Sequence, residues 1–355
     1  MTREINIDGF LIHDDSDCYV IAEIGHNHQG NLETAKDMFR AAKECGANAV
    51  KLQKRDNRVL YTKAGYNRSY EHRNSFGKTY GEHREALEFG WDEYVELKQY
   101  AQELGITMFA TAFDFPSADF LAKLDVPAFK IASGDLKSIS LLVHIAQFQK
   151  PMILSTGGGS MEDVLRAYEA IMPINPQLAI LQCTAGYPCE FHELNLRVIT
   201  TFRERFPNNV IGLSSHDNGI AMALIAYVLG ARIVEKHFTL NHTWKGTDHA
   251  FSLEPIGLRK MVRDLRRARV AFGDGIKRPY DSEQEPIKKM GKKLVVTRDL
   301  PRGYALRSED IMLKSPGDGG LPPYELSKVI GRTLMCDVTE DDSITFEILN
   351  GSYGC

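Results

Sequence analysis

Two histidines stand one strand–helix–strand crossover apart in the stretch Asn209–Leu240. His216 follows the β-rich run Val210–Ser214, and His237 lies in the run Arg232–Leu240. The apolar helical segment between them has Gly219 and Gly230 at its ends. In a parallel sheet the ends of neighbouring strands lie side by side, so both imidazoles would face one cavity. There they either share a metal ion or each cap a strand end through hydrogen bonds. Pleating is expected to turn Glu235 and His237 in opposite directions unless the strand bends. A second polar set falls at the ends of other apolar β runs: Glu23, Lys51 with Gln53, Thr111, Lys130 with Ser133, Ser155 with Thr156, and Ser214. A lysine buried at such a position is costly unless it meets an anion. Two lysines with three serines describe a pocket for phosphate or carboxylate, although each lysine alone is equally served by an ordinary ion pair. Glu23 and Glu235 supply negative charge to balance a metal or to handle a proton.

The elements that must position these residues alternate along the chain. Apolar β runs centre near residues 21, 50, 109, 130, 153, 181, 212 and 235, with amphipathic helical segments between them. Among the helices, Ser160 with Asp163 three residues on makes a weak capping box. Strand–helix units in this number and length fit a (β/α)8 TIM barrel. The competitor is an open doubly wound sheet, which normally carries a glycine-rich dinucleotide turn after its first strand; the polar loop EIGHNHQG (23–30) is not one. The stretch 56–90 reads as a long polar insertion. Beyond the helix Pro255–Phe272 the pattern changes. Residues 273–286 read as a linker, and 287–355 as a small β-rich module with strands at Lys292–Thr297 and Thr345–Leu349. Residues 1–272 would then be the catalytic domain.

Composition limits the partners. The chain has 355 residues, 43% of them hydrophobic, and a formal net charge of −4. Nothing in it suggests a nucleic-acid or anionic-membrane partner. Its six cysteines lack CxxC spacing, and Cys18, Cys183 and Cys336, in apolar runs, are expected to be buried thiols. The N-terminus lacks an apolar signal region and no apolar run reaches membrane-span length, so a soluble, cytoplasmic protein is expected. The residues alone describe an enzyme acting on a small phosphorylated acid, with an aldol-type lyase, an isomerase and a metal hydrolase all open.

Several stretches are more specific. IAEIGHNHQGNL (21–32), AVKLQKR (49–55), FGKTYGEHREALEF (76–89), FKIASGD (129–135), PMILSTGG (151–158), LQCTAGYP (181–188), IGLSSHDNG (211–219) and VEKHFTLNHTWKGTDHAFSLEP (234–255) resemble the sialic acid synthase family. That family condenses phosphoenolpyruvate with N-acylmannosamine-type sugars. Residues 303–326 and 330–334 resemble its C-terminal antifreeze-like (SAF) domain. The resemblance implies a divalent ion, usually Mn2+ with Mg2+ or Co2+ as substitutes, on His216 and His237. It implies phosphoenolpyruvate on Lys51, Thr111, Lys130, Ser133, Ser155 and Ser214. Gln53, Tyr187, Glu235 and Asp248 would orient the open-chain sugar, and Glu23 would act as acid or base near the enol carbon. It further implies a domain-swapped homodimer whose C-terminal domain covers the partner's barrel mouth.

Two positions depart from the bacterial free-sugar pattern. Ser315 stands where those members carry an arginine, and Ala185 where many carry asparagine. Both resemble the animal enzymes that take N-acetylmannosamine 6-phosphate. Arg58, Lys63, Arg68, Arg73, Lys78 and Arg84 of the insertion are candidate partners for a sugar phosphate, or else members of a solvated mixed-charge loop. The alternatives are a synthase for a legionaminic- or pseudaminic-type acid, or a carbohydrate-binding protein with a decayed barrel. The complete ring of polar strand ends argues against decay.

Overall fold

The computed structural model describes residues 3–350. The chain opens with a hairpin, β1 (Glu4–Ile7) and β2 (Phe10–His13), turned at Asp8 and Gly9, both of which have positive φ. Eight parallel strands then close into a barrel: β3 (Tyr19–Gly25), β4 (Ala49–Lys54), β5 (Thr107–Ala112), β6 (Phe129–Ile131), β7 (Met152–Ser155), β8 (Leu178–Cys183), β9 (Val210–Ser215) and β10 (Ile233–His237), with β10 pairing β3. Buried on both faces, they read as near-continuous apolar runs. The (β/α)8 architecture is therefore present as expected.

The covering helices end where their caps dictate. α1 (Leu32–Glu44) starts where Asn31 accepts from the Thr34 amide. Ser160 and Asp163 form the expected capping box of α8 (Met161–Ile171). The stretch 56–90 is more ordered than a polar insertion implies. It forms α2 (Asn57–Leu60), α3 (Lys63–Tyr66) and α4 (Tyr80–Glu85), each opened by a side-chain cap from Asp56, Thr62 or Thr79. The other covering helices are α5 (Trp91–Leu104), α6 (Phe115–Lys123), α7 (Ile139–Ala146), α9 (Val198–Arg205), α10 (Ala221–Val228) and α11 (Pro255–Phe272). Two glycines have packing reasons. A Cβ on Gly212 would collide with the Leu181 side chain and the Ile233 carbonyl, so β9 approaches its neighbours as only glycine allows. Gly30, at φ +73°, lets the loop after β3 lie against the Ala86 carbonyl.

The chain divides into two compact units, 1–273 and 274–355. Within the stretch read as a linker, Asp281–Glu283 form a 3-10 turn leading into α12 (Gln284–Met290). The second unit pairs β11 (Lys293–Val296) with β12 (Ile311–Lys314) around a core that includes Leu294, Val296, Leu306, Val329, Leu334 and Ile344. The strand expected at Thr345–Leu349 is instead a 3-10 turn, Phe346–Ile348, because only Leu349 finds a bridging partner, Leu334. Cys336 is exposed, not buried; Cys18 and Cys183 are buried. Cys355 lies outside the described residues. Among the described residues no helix is long and apolar enough to cross a membrane.

Candidate active site

Barrel strands point side chains alternately inward and outward, and at their C-terminal ends the inward set opens into a cavity of about 510 Å3. Its lining includes Glu23, Lys51, Gln53, Thr111, Lys130, Ser133, Ser155, Tyr187, Ser214, His216, Glu235, His237 and Asp248; Thr156, also singled out in the sequence, is not in the lining, and its hydroxyl donates to the Leu181 carbonyl at 2.9 Å. One expectation fails: Glu235 and His237 both face the cavity. They are two residues apart on β10, and alternate residues of a strand share a face. Lys236 between them points the other way, into a buried pair with Asp217 at 3.0 Å, and also donates to the Asp217 carbonyl at 2.6 Å. It braces the loop that carries His216.

The two lysines are buried and engaged. Lys51 Nζ lies 2.7 Å from Glu23 Oε2, donates to Thr111 Oγ1 at 2.9 Å, and is 3.7 Å from Glu235 Oε1. Lys130 Nζ donates to Ser155 Oγ at 2.6 Å and to the Ile131 carbonyl at 2.9 Å, and lies 3.9 Å from Glu235 Oε1. Ser214 Oγ donates to Glu235 Oε1 at 3.2 Å, whereas Glu235 Oε2 is buried with no hydrogen-bond partner among the described residues. Gln53 donates to Glu23 Oε1 at 2.6 Å. Ser133 accepts from the Gly157 amide at 3.1 Å, which ties the triple-glycine loop to the end of β6.

These contacts separate the two glutamates. Burial raises the Glu23 carboxyl, Lys51 opposes and Glu235 adds to the rise, and the net direction is up. Burial also pushes Glu235 up, but Lys130 and Lys51 together outweigh it and hold its carboxyl below the ordinary value. Burial disfavours the charged form of Lys130. Two carboxyls driven apart in this way suit an acid and a base.

The histidines pack together, ring centroids 5.3 Å apart, with the Tyr187 ring 4.1 Å from His216. His216 Nδ1 bonds the Thr184 carbonyl at 2.8 Å, which fixes its tautomer and frees Nε2. His237 Nδ1 is buried without a hydrogen bond among the described residues, 3.7 Å from Asp248 Oδ2. Burial first, and the facing imidazole second, push His216 down to about 3. Burial, opposed by Asp248, pushes His237 down to about 4. Both are neutral near pH 7, the state that ligates metals. Among the described residues no group of three or more His, Cys, Asp or Glu side chains is arranged as a metal cluster.

The comparisons with known proteins agree with this barrel. A model described as the NeuB family matches residues 38–277, and one described as the SAF domain matches residues 293–349. The chain belongs to the NeuB family. It is 40% identical over 333 residues to a Homo sapiens N-acetylneuraminate-9-phosphate synthase, covering 94% of this chain and 93% of that one. A Legionella pneumophila N,N'-diacetyllegionaminic acid synthase is 34% identical, covering 93% and 94%. Among solved structures, the N-acetylneuraminic acid synthetase of Leptospira borgpetersenii matches with a TM-score of 0.70 at 33% identity, covering 81% of this chain and 96% of that one.

This NeuB-family cavity also contains residues that the sequence reading missed: Arg55, Tyr70, Phe113, Cys183 and Thr247. Arg55 had a signal, since it continues the alternation Lys51, Gln53, Arg55 one step beyond the strand. Of the six basic residues in the insertion, Arg84 alone lines the cavity; Arg58, Lys63, Arg68, Arg73 and Lys78 are exposed.

Proposed function

We propose that the protein condenses phosphoenolpyruvate with an open-chain N-acylmannosamine, favouring N-acetylmannosamine 6-phosphate, to give a nine-carbon 2-keto acid and phosphate. The observation that carries this reading is the convergence of two buried, hydroxyl-supported lysines and a neutral histidine pair in one barrel mouth. Membership of the NeuB family supports the enzyme class, and identity to 9-phosphate synthases supports the phosphorylated acceptor.

The residues divide the work as follows. Lys51 and Lys130, with Thr111, Ser133, Ser155 and Ser214, bind the phosphate and carboxylate of phosphoenolpyruvate through charge-assisted hydrogen bonds. Gln53, Tyr187 and Asp248 orient the sugar. C3 of phosphoenolpyruvate forms a bond to the aldehyde carbon, and the aldehyde oxygen takes the proton held on Glu23. Water adds to C2, and the free oxygen Oε2 of Glu235 accepts its proton. The tetrahedral intermediate then loses phosphate by C–O cleavage, and the proton of its C2 hydroxyl leaves with the phosphate as hydrogen phosphate while C2 becomes the ketone. His216 and His237 would hold a divalent ion: one nitrogen of His216 is pinned and the other free, and Nδ1 of His237 is orphaned. Bound there, Mn2+ or a similar ion would polarise the sugar's carbonyl. Part of the reading is a homodimer in which unit 287–355 covers the partner's barrel mouth. Phosphate release from phosphoenolpyruvate with a panel of aldoses tests the whole; release independent of any acceptor contradicts it.

A further inference from the structure

Four cationic side chains in the cavity, Lys51, Lys130, Arg55 and Arg84, face three carboxylates, Glu23, Glu235 and Asp248. The lysines are paired with the glutamates, whereas the arginines have weaker partners. Arg55 is buried with its guanidinium 3.7 Å from the Phe113 ring centroid and donates to Gln53 Oε1 at 2.7 Å. Its carboxylate contact, Glu88 Oε1, is 4.0 Å away, and Glu88 also serves Lys54 at 3.1 Å. Arg84 gives two donors to one phenol oxygen, that of Tyr80, at 3.0 and 2.8 Å. Among the described residues it has no carboxylate ion pair.

His26 lies between the two guanidiniums. Its Nε2 is 3.1 Å from Arg55 Nη1 and its Nδ1 is 3.0 Å from Arg84 Nη1. A neutral imidazole has one acceptor nitrogen and one N–H. One of these two contacts therefore sets donor against donor, and protonating the ring makes both so. Burial and the two arginines hold His26 neutral. Burial and then Arg84 disfavour the charge on Arg55. Arg55 thus sits on neutral acceptors and a distant carboxylate that it shares with Lys54, and Arg84 on a phenol and an imidazole with only longer-range support from Asp248. Such an arrangement is costly until an anion completes it, and the planar donor fork matches phosphate oxygens.

We propose that Arg84 and Arg55, joined through His26, form a subsite for a phosphate monoester dianion carried on the acceptor sugar, separate from the lysine pocket at the strand ends. This rests on the synthase reading. Asp248 connects the two ends of the acceptor path, since its Oδ2 lies 3.7 Å from His237 Nδ1 and its side chain lines the same cavity as Arg55 and Arg84. A sugar with its aldehyde at the histidines extends its far carbon towards the arginines. The capping box of Thr79 and Glu82 sets the helix that delivers Arg84.

The test is steady-state kinetics on the full chain with Arg84→Gln and Arg84→Lys. In Arg84→Gln the KM for N-acetylmannosamine 6-phosphate rises about ten- to a hundredfold, the worth of one charge-assisted hydrogen bond, and Arg84→Lys recovers part of it. The KM for phosphoenolpyruvate stays within about twofold, as a separate subsite requires. In the wild-type chain, inorganic sulfate competes with the phosphorylated acceptor at saturating phosphoenolpyruvate. An unchanged acceptor KM, a parallel rise in both KM values, or no competition by sulfate overturns the subsite while phosphate release continues to support the synthase reading. No acceptor-dependent phosphate release from the wild-type chain overturns both.

Discussion

Replacing Lys130 by methionine isolates the anion pocket, because methionine keeps most of the side chain's length and apolar stem. The ammonium that is lost donates to Ser155 Oγ at 2.6 Å and stands 3.9 Å from Glu235 Oε1. At that separation the Coulomb attraction is about 4 kcal/mol for an effective dielectric constant of about 20. Burial of Lys130 opposes it, and Lys51 and Ser214 still support the glutamate in the variant. The folded chain is therefore expected to survive. The loss to phosphoenolpyruvate is one charge-assisted hydrogen bond, about 1.5–3 kcal/mol, which is roughly a ten- to hundredfold rise in KM. A second effect has a definite sign. Lys130 is the largest electrostatic influence holding Glu235 down, so without it the Glu235 carboxyl titrates at higher pH. If Glu235 must be ionised, the acid limb of the rate profile moves up. The assay is phosphate release against phosphoenolpyruvate concentration across pH, beside metal content. A KM within about twofold of wild type would refute the anion assignment; loss of bound metal would refute the separation of the two subsites.

Three other outcomes are expected. His216→Ala and His237→Ala each lose metal and turnover together while the far-ultraviolet circular dichroism is unchanged; full metal with near-normal turnover would make the pair structural caps. His216 and His28 are pushed down to about 3, and His237 and His83 to about 4, chiefly by burial. The unfolded chain, with ordinary histidines near 6.5, therefore binds more protons below that pH. Stability is full above about pH 6.5 and declines towards pH 4, read as the melting temperature of the metal-free protein; a constant melting temperature from pH 7 to 5 would contradict the burial argument. Removing residues 283–355 should leave a folded barrel with weakened acceptor use and no dimer by sedimentation, and a fully active monomer would rule out a role for the second unit in the site.

Much of the barrel was legible because strands buried on both faces read as uninterrupted apolar runs, and their polar ends interrupt those runs at countable positions. Lys51, Lys130 and Ser214 stand out for that reason. The role of Arg84 was harder to read. Its partner His26 comes from the loop after β3, far away in sequence, and nothing periodic in 56–90 separates it from Arg58 or Arg73, which remain exposed. Glu235 was misplaced by one step of the pleat, although its spacing from His237 already put both on one face. In the second unit, short isolated bridges replace ladders, so apolar alternation at Thr345–Leu349 suggested a strand where the backbone turns. Cys336 shows the same weakness, since an apolar neighbourhood in sequence does not fix burial in a small module.

On the proposed reading, this barrel joins phosphoenolpyruvate to an aldose with cleavage of the C–O bond to phosphate. The direct measurement uses phosphoenolpyruvate labelled with a heavy oxygen isotope at the atom bridging C2 and phosphorus, N-acetylmannosamine 6-phosphate as acceptor, and mass spectrometry of both products. The expected result is acceptor-dependent phosphate that carries the label, in equal amount to an unlabelled nine-carbon keto acid phosphate. Label retained in the keto acid, or phosphate released without the acceptor, would contradict it.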